Sequence, residues 1–144
     1  MRRIMCGLLV TGLLVVPASL AHAEGKGPCS GWFSNITHTM PMEKVVDHTK
    51  RTIACAVEKF GLGNVSLSTA LAIADRESNF DPEAYNPSGC AGVYQQMVSY
   101  WPGRVAAWWD KDWFWRTPSA FNMRANVVVS IRMMAHGGMS NWGY

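Results

Sequence analysis

The chain has 144 residues, a length that accommodates one domain, and its formal net charge at pH 7 is +3. Two of the 13 basic residues, Arg2 and Arg3, belong to an N-terminal leader, and without them 11 basic and 10 acidic residues leave a charge of +1. This near-neutral balance argues against nucleic-acid binding through a charged surface.

Residues 1–23 have the pattern of a secretory signal peptide. A basic start precedes an apolar run over residues 4–16, which is too short to span a bilayer comfortably. A small-x-small cleavage site follows and ends at Ala23. We therefore expect an exported protein that begins near Glu24, is secreted, periplasmic or wall-associated, and is not stably inserted in a membrane.

Three cysteines remain once Cys6 leaves with the signal peptide, namely Cys29, Cys55 and Cys90. Export predicts one disulfide and one thiol left over, and all three pairings stay open. The chain has no CxxC spacing and no HExxH-like histidine pattern, so we predict neither a metal site nor a cofactor.

The mature chain begins with residues 24–42, which are rich in Gly, Pro, Ser and Thr and predict an extended segment. An amphipathic helix is predicted over residues 43–60, and Gly61 and Gly63 end it. Because no internal repeat and no change in amino-acid composition marks a second domain, residues 43–144 are assigned to one domain.

The next predicted helix, residues 67–78, ends in a carboxylate at an unusual place. Helical spacing puts Ala70, Ile73 and Ala74 on the same face as Glu77, so water should be partly excluded around that side chain. Desolvation raises the pKa of a carboxyl group, and a raised pKa suits a general acid. The alternative is a frayed surface residue in the last helical turn.

Turn residues dominate the segment that follows this helix. Asp81-Pro82 and the Asn-Pro-Ser-Gly sequence at residues 86–89 exclude a long helix. Residues 89–97 predict a short hairpin or a bend into another helix, and Gly92 marks close backbone approach or a positive φ. The expected fold class is α+β and mostly helical, with a small hairpin or loop insertion.

Five of the seven tryptophans fall within residues 101–115. Indole rings dominate the cores of small domains, and they also stack on the apolar faces of sugar rings in exposed grooves. We expect both uses. The prediction divides the tryptophans into two core residues, Trp101 and Trp108, and a group of which some are exposed, Trp109, Trp113 and Trp115.

A final helix is predicted to begin at Ser119 or Asn122, and Gly137-Gly138 ends it. The closing sequence MSNWGY is too aromatic for a free tail. We therefore expect Trp142 to fold back onto the core.

Together these motifs resemble the soluble lytic transglycosylase (SLT) group of the lysozyme-like superfamily. The similar stretches are Glu-Ser at 77–78, Phe-Asp-Pro-Glu-Ala at 80–84, Asn-Pro-Ser-Gly at 86–89 and Gly-Val-Tyr-Gln at 92–95. Near the end, Ala-Asn-Val at 125–127 is similar to an Asn-Ile helix entry, and HGGMSNW at 136–142 to a Gly-Gly-x-Ser-x-Trp ending. Their order and spacing are more specific than any one of them.

The resemblance implies a lysozyme-like fold with a sugar-binding cleft between two lobes. Glu77 matches the catalytic glutamate that protonates the glycosidic oxygen between N-acetylmuramic acid and N-acetylglucosamine in peptidoglycan. The same residue then acts as base while the muramoyl 6-hydroxyl attacks, which gives a 1,6-anhydro product. The predicted substrate-binding residues are Ser78, Tyr94, Gln95 and Asn126, to which the tryptophan run adds Trp109.

Some features depart from the family pattern. Tyr94 stands where Met or Phe is usual, Cys90 replaces a small residue, and the Ala-Tyr-Asn-Ala-Gly segment of larger members is missing. We predict a monomeric peptidoglycan-cleaving enzyme, with muramidase activity, non-catalytic wall binding and service to a conjugation or secretion apparatus as alternatives. Asp81 and Glu83 are available as second carboxylates, although turn chemistry explains both more simply.

Overall fold

A computed structural model describes residues 39–109 and 118–144. The elements in chain order are α1 (Met42–Phe60), α2 (Leu67–Ser78), β1 (Cys90–Ala91), β2 (Gln96–Met97), α3 (Trp101–Trp108), α4 (Met123–Ala135) and a C-terminal 3₁₀ helix (Gly138–Trp142). The predicted fold class, mostly helical α+β with a small hairpin, is confirmed. The predicted signal peptide, nearly all of the extended segment, Cys29, Trp113 and Trp115 lie outside the described residues.

Helix α1 forms because its apolar residues recur every three or four positions. The buried positions on this stripe include Val45, Thr49, Ile53 and Ala56. The helix begins one residue before the predicted start, after Pro41, and the Gly61 amide closes it with a hydrogen bond of 2.9 Å to the Val57 carbonyl.

Side-chain caps fix the starts of α2 and α4. Ser66 Oγ accepts a hydrogen bond of 3.1 Å from the Thr69 amide, and α2 then spans the predicted residues 67–78. Asn122 Oδ1 accepts from the Ala125 amide at 2.9 Å, so Asn122, rather than Ser119, begins α4. Such caps typically contribute about 1 kcal/mol each.

Helix α4 is the centre of the core because it is buried on nearly every side. Val127, Val129 and Ile131 are all fully buried, and the helix packs against α1, α3 and the C-terminal 3₁₀ helix. Burying a side chain of this size contributes about 1.5–3 kcal/mol. A helix apolar all round is typical of such a central position.

The predicted hairpin is present as a two-stranded antiparallel sheet, in which Cys90 pairs with Met97 and Ala91 pairs with Gln96. Gly92, in the connecting turn, has a φ of +76°. A Cβ atom there would also lie 2.5 Å from the Ala120 carbonyl oxygen, so both predicted reasons for this glycine are confirmed.

The C-terminal 3₁₀ helix folds back onto the core as predicted. Trp142 is buried, and its Nε1 donates to the Tyr94 carbonyl at 3.0 Å, while the two rings meet edge to face at 6.1 Å. Within residues 39–109 and 118–144, no helix is both long and apolar enough to cross a bilayer.

Candidate active site

Glu77 lies in the last turn of α2, where a buried stripe meets solvent. Ala70, Ile73 and Ala74 on its face are fully buried, as the helical spacing predicted, and the Glu77 side chain is 25% exposed. The helix ends at Ser78, and the following residue, Asn79, adopts a left-handed conformation in which its amide donates to the Asp75 carbonyl at 2.8 Å. The carboxylate is thus sheltered yet reachable.

Arg76 holds this carboxylate from the side. Its guanidinium Nη2 donates to Glu77 Oε1 at 2.8 Å and to the Trp142 carbonyl at 2.6 Å, and Nε donates to the same carboxylate oxygen at 3.2 Å. The guanidinium carbon also lies 5.3 Å from the centre of the Tyr144 ring. The hydrogen bond with Glu77 raises the pKa of Arg76, so a fixed cation links the C-terminal segment to Glu77.

Ser78 joins the end of α2 to the hairpin turn. Its hydroxyl donates to the Val93 carbonyl at 2.8 Å and lies 3.2 Å from the Ala74 carbonyl. The side-chain amide of Gln95 similarly donates, through Nε2, to the carbonyls of Ala84, at 3.2 Å, and Gly92, at 3.0 Å. Both side chains, predicted from sequence as substrate-binding, are half-buried and hold the loops beside Glu77 in place.

Three non-glycine residues directly after α2 or in the hairpin turn have a positive φ, namely Asn79 at 52°, Phe80 at 66° and Gln95 at 46°. Asn tolerates this region, but for Phe and Gln it costs roughly 1–2 kcal/mol each. Strained backbone of this kind concentrates at functional sites.

Tyr94 and Asn126 are fully buried, so the prediction that they contact substrate is corrected. The Tyr94 hydroxyl donates to the Ala70 carbonyl at 3.0 Å, and burial raises the pKa of this hydroxyl. Asn126 Oδ1 accepts from the Tyr94 amide at 2.9 Å, and its Nδ2 donates to the carbonyls of Ala91 at 3.0 Å and Ala120 at 2.8 Å. Both residues brace the loop behind Glu77.

Trp109 is also corrected, because it is buried at the end of α3 rather than exposed as a sugar platform. Trp101 is buried as predicted, and its Nε1 donates to the Pro118 carbonyl at 2.7 Å. Trp108 is half-buried, and its ring lies 5.0 Å from that of His136. Core packing thus explains these tryptophans.

The two acidic residues in the turn after α2 have turn roles. Asp81 Oδ1 accepts a hydrogen bond of 2.8 Å from the Glu83 amide, and Glu83 itself is exposed. This is the Asx-turn geometry that the simpler sequence interpretation predicted. In the described part of the chain, no three His, Cys, Asp or Glu residues form a cluster suited to a metal ion.

A separate open cleft of about 330 Å³ lies between α1, α3 and α4. Its described lining residues include no carboxylate and are Lys59, Phe60, Leu62, Ala107, Trp108, Arg132 and His136. It offers no acid for glycoside chemistry, so Glu77 remains the candidate centre.

The sequence did not single out three residues whose positions in the structure bear on function. Arg76 was not predicted to take part in the site, although its immediate neighbour in the sequence is Glu77. Tyr85 and Phe121 were not singled out, yet their rings are exposed and meet at 6.0 Å. The available clue was an aromatic residue directly beside turn residues, where an apolar ring is otherwise unexpected.

Comparison with known proteins finds one similar family and one similar curated protein. Residues 55–106 match the family model described as the transglycosylase SLT domain. Over this segment the chain is therefore similar to an SLT domain. Over 80 residues, 56% of this chain, it is 35% identical to a protein described as "Probable transglycosylase IsaA" from Staphylococcus aureus (strain bovine RF122 / ET3-1). That alignment covers 27% of the staphylococcal protein, and no solved structure gives a significant match.

The matched segment, residues 55–106, contains all of α2 and the whole hairpin, and therefore Glu77, Ser78 and Gln95. It stops before α4 and Asn126. The residues that carry the candidate chemistry thus fall in the matched part, whereas the helix that braces them lies beyond it.

Proposed function

We propose that the chain is a peptidoglycan-cleaving enzyme of the lytic transglycosylase type, with Glu77 as its single general acid and base. One observation carries the proposal. Within the segment that matches the SLT domain, a partly sheltered carboxylate lies in the last turn of α2, and the next residue, Ser78, donates a hydrogen bond to the Val93 carbonyl in the hairpin turn. Bracing of this kind keeps a reacting group in a productive geometry.

In the proposed reaction, the Glu77 side chain both donates and takes back the proton. The protonated Glu77 carboxyl gives its proton to the glycosidic oxygen as the bond from C1 of N-acetylmuramic acid to that oxygen breaks. N-acetylglucosamine leaves as an alcohol. The muramoyl 6-hydroxyl oxygen then bonds to C1 and returns its proton to the Glu77 carboxylate, which yields the 1,6-anhydro product and restores the acid.

The surroundings of the carboxylates nearest Glu77 in the described part of the chain favour this route over hydrolysis. Most glycoside hydrolases use two carboxylates about 5–9.5 Å apart, whereas assistance by the N-acetyl group of the substrate needs only one. Among the described residues nearest in sequence, Asp81 is engaged by its turn and Asp75 is exposed. Muramidase activity is therefore the second candidate.

The test is Glu77→Gln, assayed on purified cell walls with mass spectrometry of the released fragments. Loss of general acid catalysis should lower the rate by about 10²–10⁴-fold. Asp75→Asn is the matched control, because it removes a carboxylate from an exposed position of the same helix and should leave the rate unchanged. A Glu77→Gln variant with full activity would overturn the proposal.

The fragments also separate the alternatives. Anhydro-muropeptides indicate a transglycosylase, and reducing ends indicate a muramidase. Retention on insoluble peptidoglycan with no released fragment from the unmodified chain indicates a non-catalytic wall-binding protein.

We also propose that the protein is exported after removal of residues 1–23 and that Cys29 pairs with Cys55. Cys90 is a free thiol in the described part of the chain, and Cys55 is buried in α1. Because Cys6 leaves with the signal peptide, Cys29 is the remaining partner. Non-reducing peptide mapping of the exported protein should find the Cys29–Cys55 linkage, and a linked peptide containing Cys90 contradicts it.

A further inference from the structure

Two exposed aromatic rings from distant parts of the chain form a pair on the surface. Tyr85 lies in the loop before β1 and is 62% exposed, and Phe121 precedes α4 and is 42% exposed. Their ring centroids are 6.0 Å apart at an interplanar angle of 44°. Single exposed apolar side chains are ordinary, but a fixed pair left in solvent is a feature to explain.

The backbone on the Tyr85 side is held by the hairpin turn. The carbonyl of the preceding Ala84 accepts from the Gly92 amide at 2.8 Å and from Gln95 Nε2 at 3.2 Å. Tyr85 itself forms an antiparallel bridge with Ala91. The backbone that carries the Tyr85 ring is therefore held in place by hydrogen bonds.

The Phe121 side is attached to the same turn. The carbonyl of the preceding Ala120 accepts from Asn126 Nδ2 at 2.8 Å, and the Phe121 amide donates to Ser119 Oγ at 3.2 Å. That Ala120 carbonyl is also the group against which Gly92 packs. The backbone that carries each ring is thus held in place by contacts with Gly92.

This turn is also the one that contacts the end of α2. Ser78, directly after Glu77, donates to the carbonyl of Val93, and Val93 follows Gly92. The aromatic pair and the candidate acid are therefore joined through one short, braced loop.

We propose that Tyr85 and Phe121 form a platform that binds a pyranose ring of the glycan strand. The inference rests on the proposed function. Aromatic rings stack on the apolar C–H faces of N-acetylhexosamines, and rigid rings lose little conformational entropy on binding. The tryptophans at 101, 109 and 142 are buried. We therefore assign to this exposed pair the sugar contact that the sequence predicted for Trp109.

The test is calorimetric binding of an N-acetylglucosamine hexamer to the mature chain carrying Glu77→Gln, so that cleavage does not interfere. Tyr85→Leu and Phe121→Leu keep apolar volume but remove the flat ring, and each should raise Kd by about tenfold. Tyr85→Phe keeps the ring and should bind within about twofold of the reference. In chains with Glu77 intact, KM should rise while kcat changes little.

Tyr100→Leu is the matched control, because Tyr100 is 61% exposed but stands at the start of α3. Thermal unfolding checks that each variant is folded. Unchanged binding in both Leu variants, an equal loss in Tyr100→Leu, or no hexamer binding by the reference overturns the inference. Ring-dependent binding by a chain that cleaves no cell wall supports the platform and refutes the enzyme, so the two proposals fail separately.

Discussion

Replacement of Asn126 by Ala is expected to destabilise the fold severely, because this fully buried amide makes three hydrogen bonds. Its Oδ1 accepts from the Tyr94 amide at 2.9 Å, and its Nδ2 donates to the carbonyls of Ala91 at 3.0 Å and Ala120 at 2.8 Å. The variant leaves one backbone donor and two backbone acceptors without this partner in the interior.

The expected cost follows from these three contacts. A typical internal hydrogen bond contributes about 0.5–1.5 kcal/mol, and a buried group left unsatisfied costs about 1–3 kcal/mol. We therefore expect Asn126→Ala to lower the free energy of unfolding by roughly 3–5 kcal/mol. In a domain of about 100 residues this lowers Tm by at least about 10 °C.

Asn122→Ala is the matched control, since it removes the same side chain from the exposed N-cap of the same helix. It should cost about 1 kcal/mol. Urea unfolding and thermal melts of both variants make the comparison. The reasoning is refuted if Asn126→Ala loses no more unfolding free energy than Asn122→Ala. It is also refuted if Asn126→Ala stays stable but no longer binds sugar, which is the result expected of a substrate-binding residue.

Two further changes test the core around the hairpin. Gly92→Ala should cost roughly 2–4 kcal/mol, because the new Cβ meets the Ala120 carbonyl at 2.5 Å in addition to the positive-φ strain. Gly63 has a φ of +73° and open space around it, so Gly63→Ala should cost only the backbone strain of the positive φ. If urea unfolding shows equal losses of stability in Gly63→Ala and Gly92→Ala, this account is contradicted. Burial raises the pKa of Tyr94 above its ordinary value of 10.0, so the folded state keeps this proton longer and stability should fall as pH rises above about 10. Tyr94→Phe should flatten that alkaline loss in urea titrations at pH 9–11, at a cost of about 1 kcal/mol near pH 7, and an unchanged slope argues against it.

Local signals account for what the sequence predicted well. Helix α2 has the predicted bounds because Ser66 caps it and its apolar period is undisturbed up to Glu77. The hairpin glycine was recognisable because positive φ and close approach both select for Gly. Each of these signals lies within a few residues of the feature that it determines.

The burial of Tyr94 and Asn126 was not predictable in the same way, because their partners are remote in sequence. Asn126 bonds to Tyr94 and Ala91, which are 32 and 35 positions away, and Tyr94 bonds to Ala70, which is 24 positions away. Family resemblance marked these residues as important without saying why. Long-range backbone contacts explain their importance as support for the site, and not as contact with sugar.

The position of Glu77 itself depends on a competition at the end of α2. No glycine ends this helix, and Phe80 adopts φ +66°, which costs roughly 1–2 kcal/mol for a residue with a bulky side chain. Burial of the Phe80 ring, over which the Lys50 ammonium lies 4.5 Å from the centroid, contributes about 1.5–3 kcal/mol, which is enough to offset a strain of this size. Tertiary packing therefore stabilises the left-handed backbone that ends α2 at Ser78. Because the helix ends there, Glu77 lies in the last helical turn, where its carboxylate is both supported by buried neighbours and open to solvent.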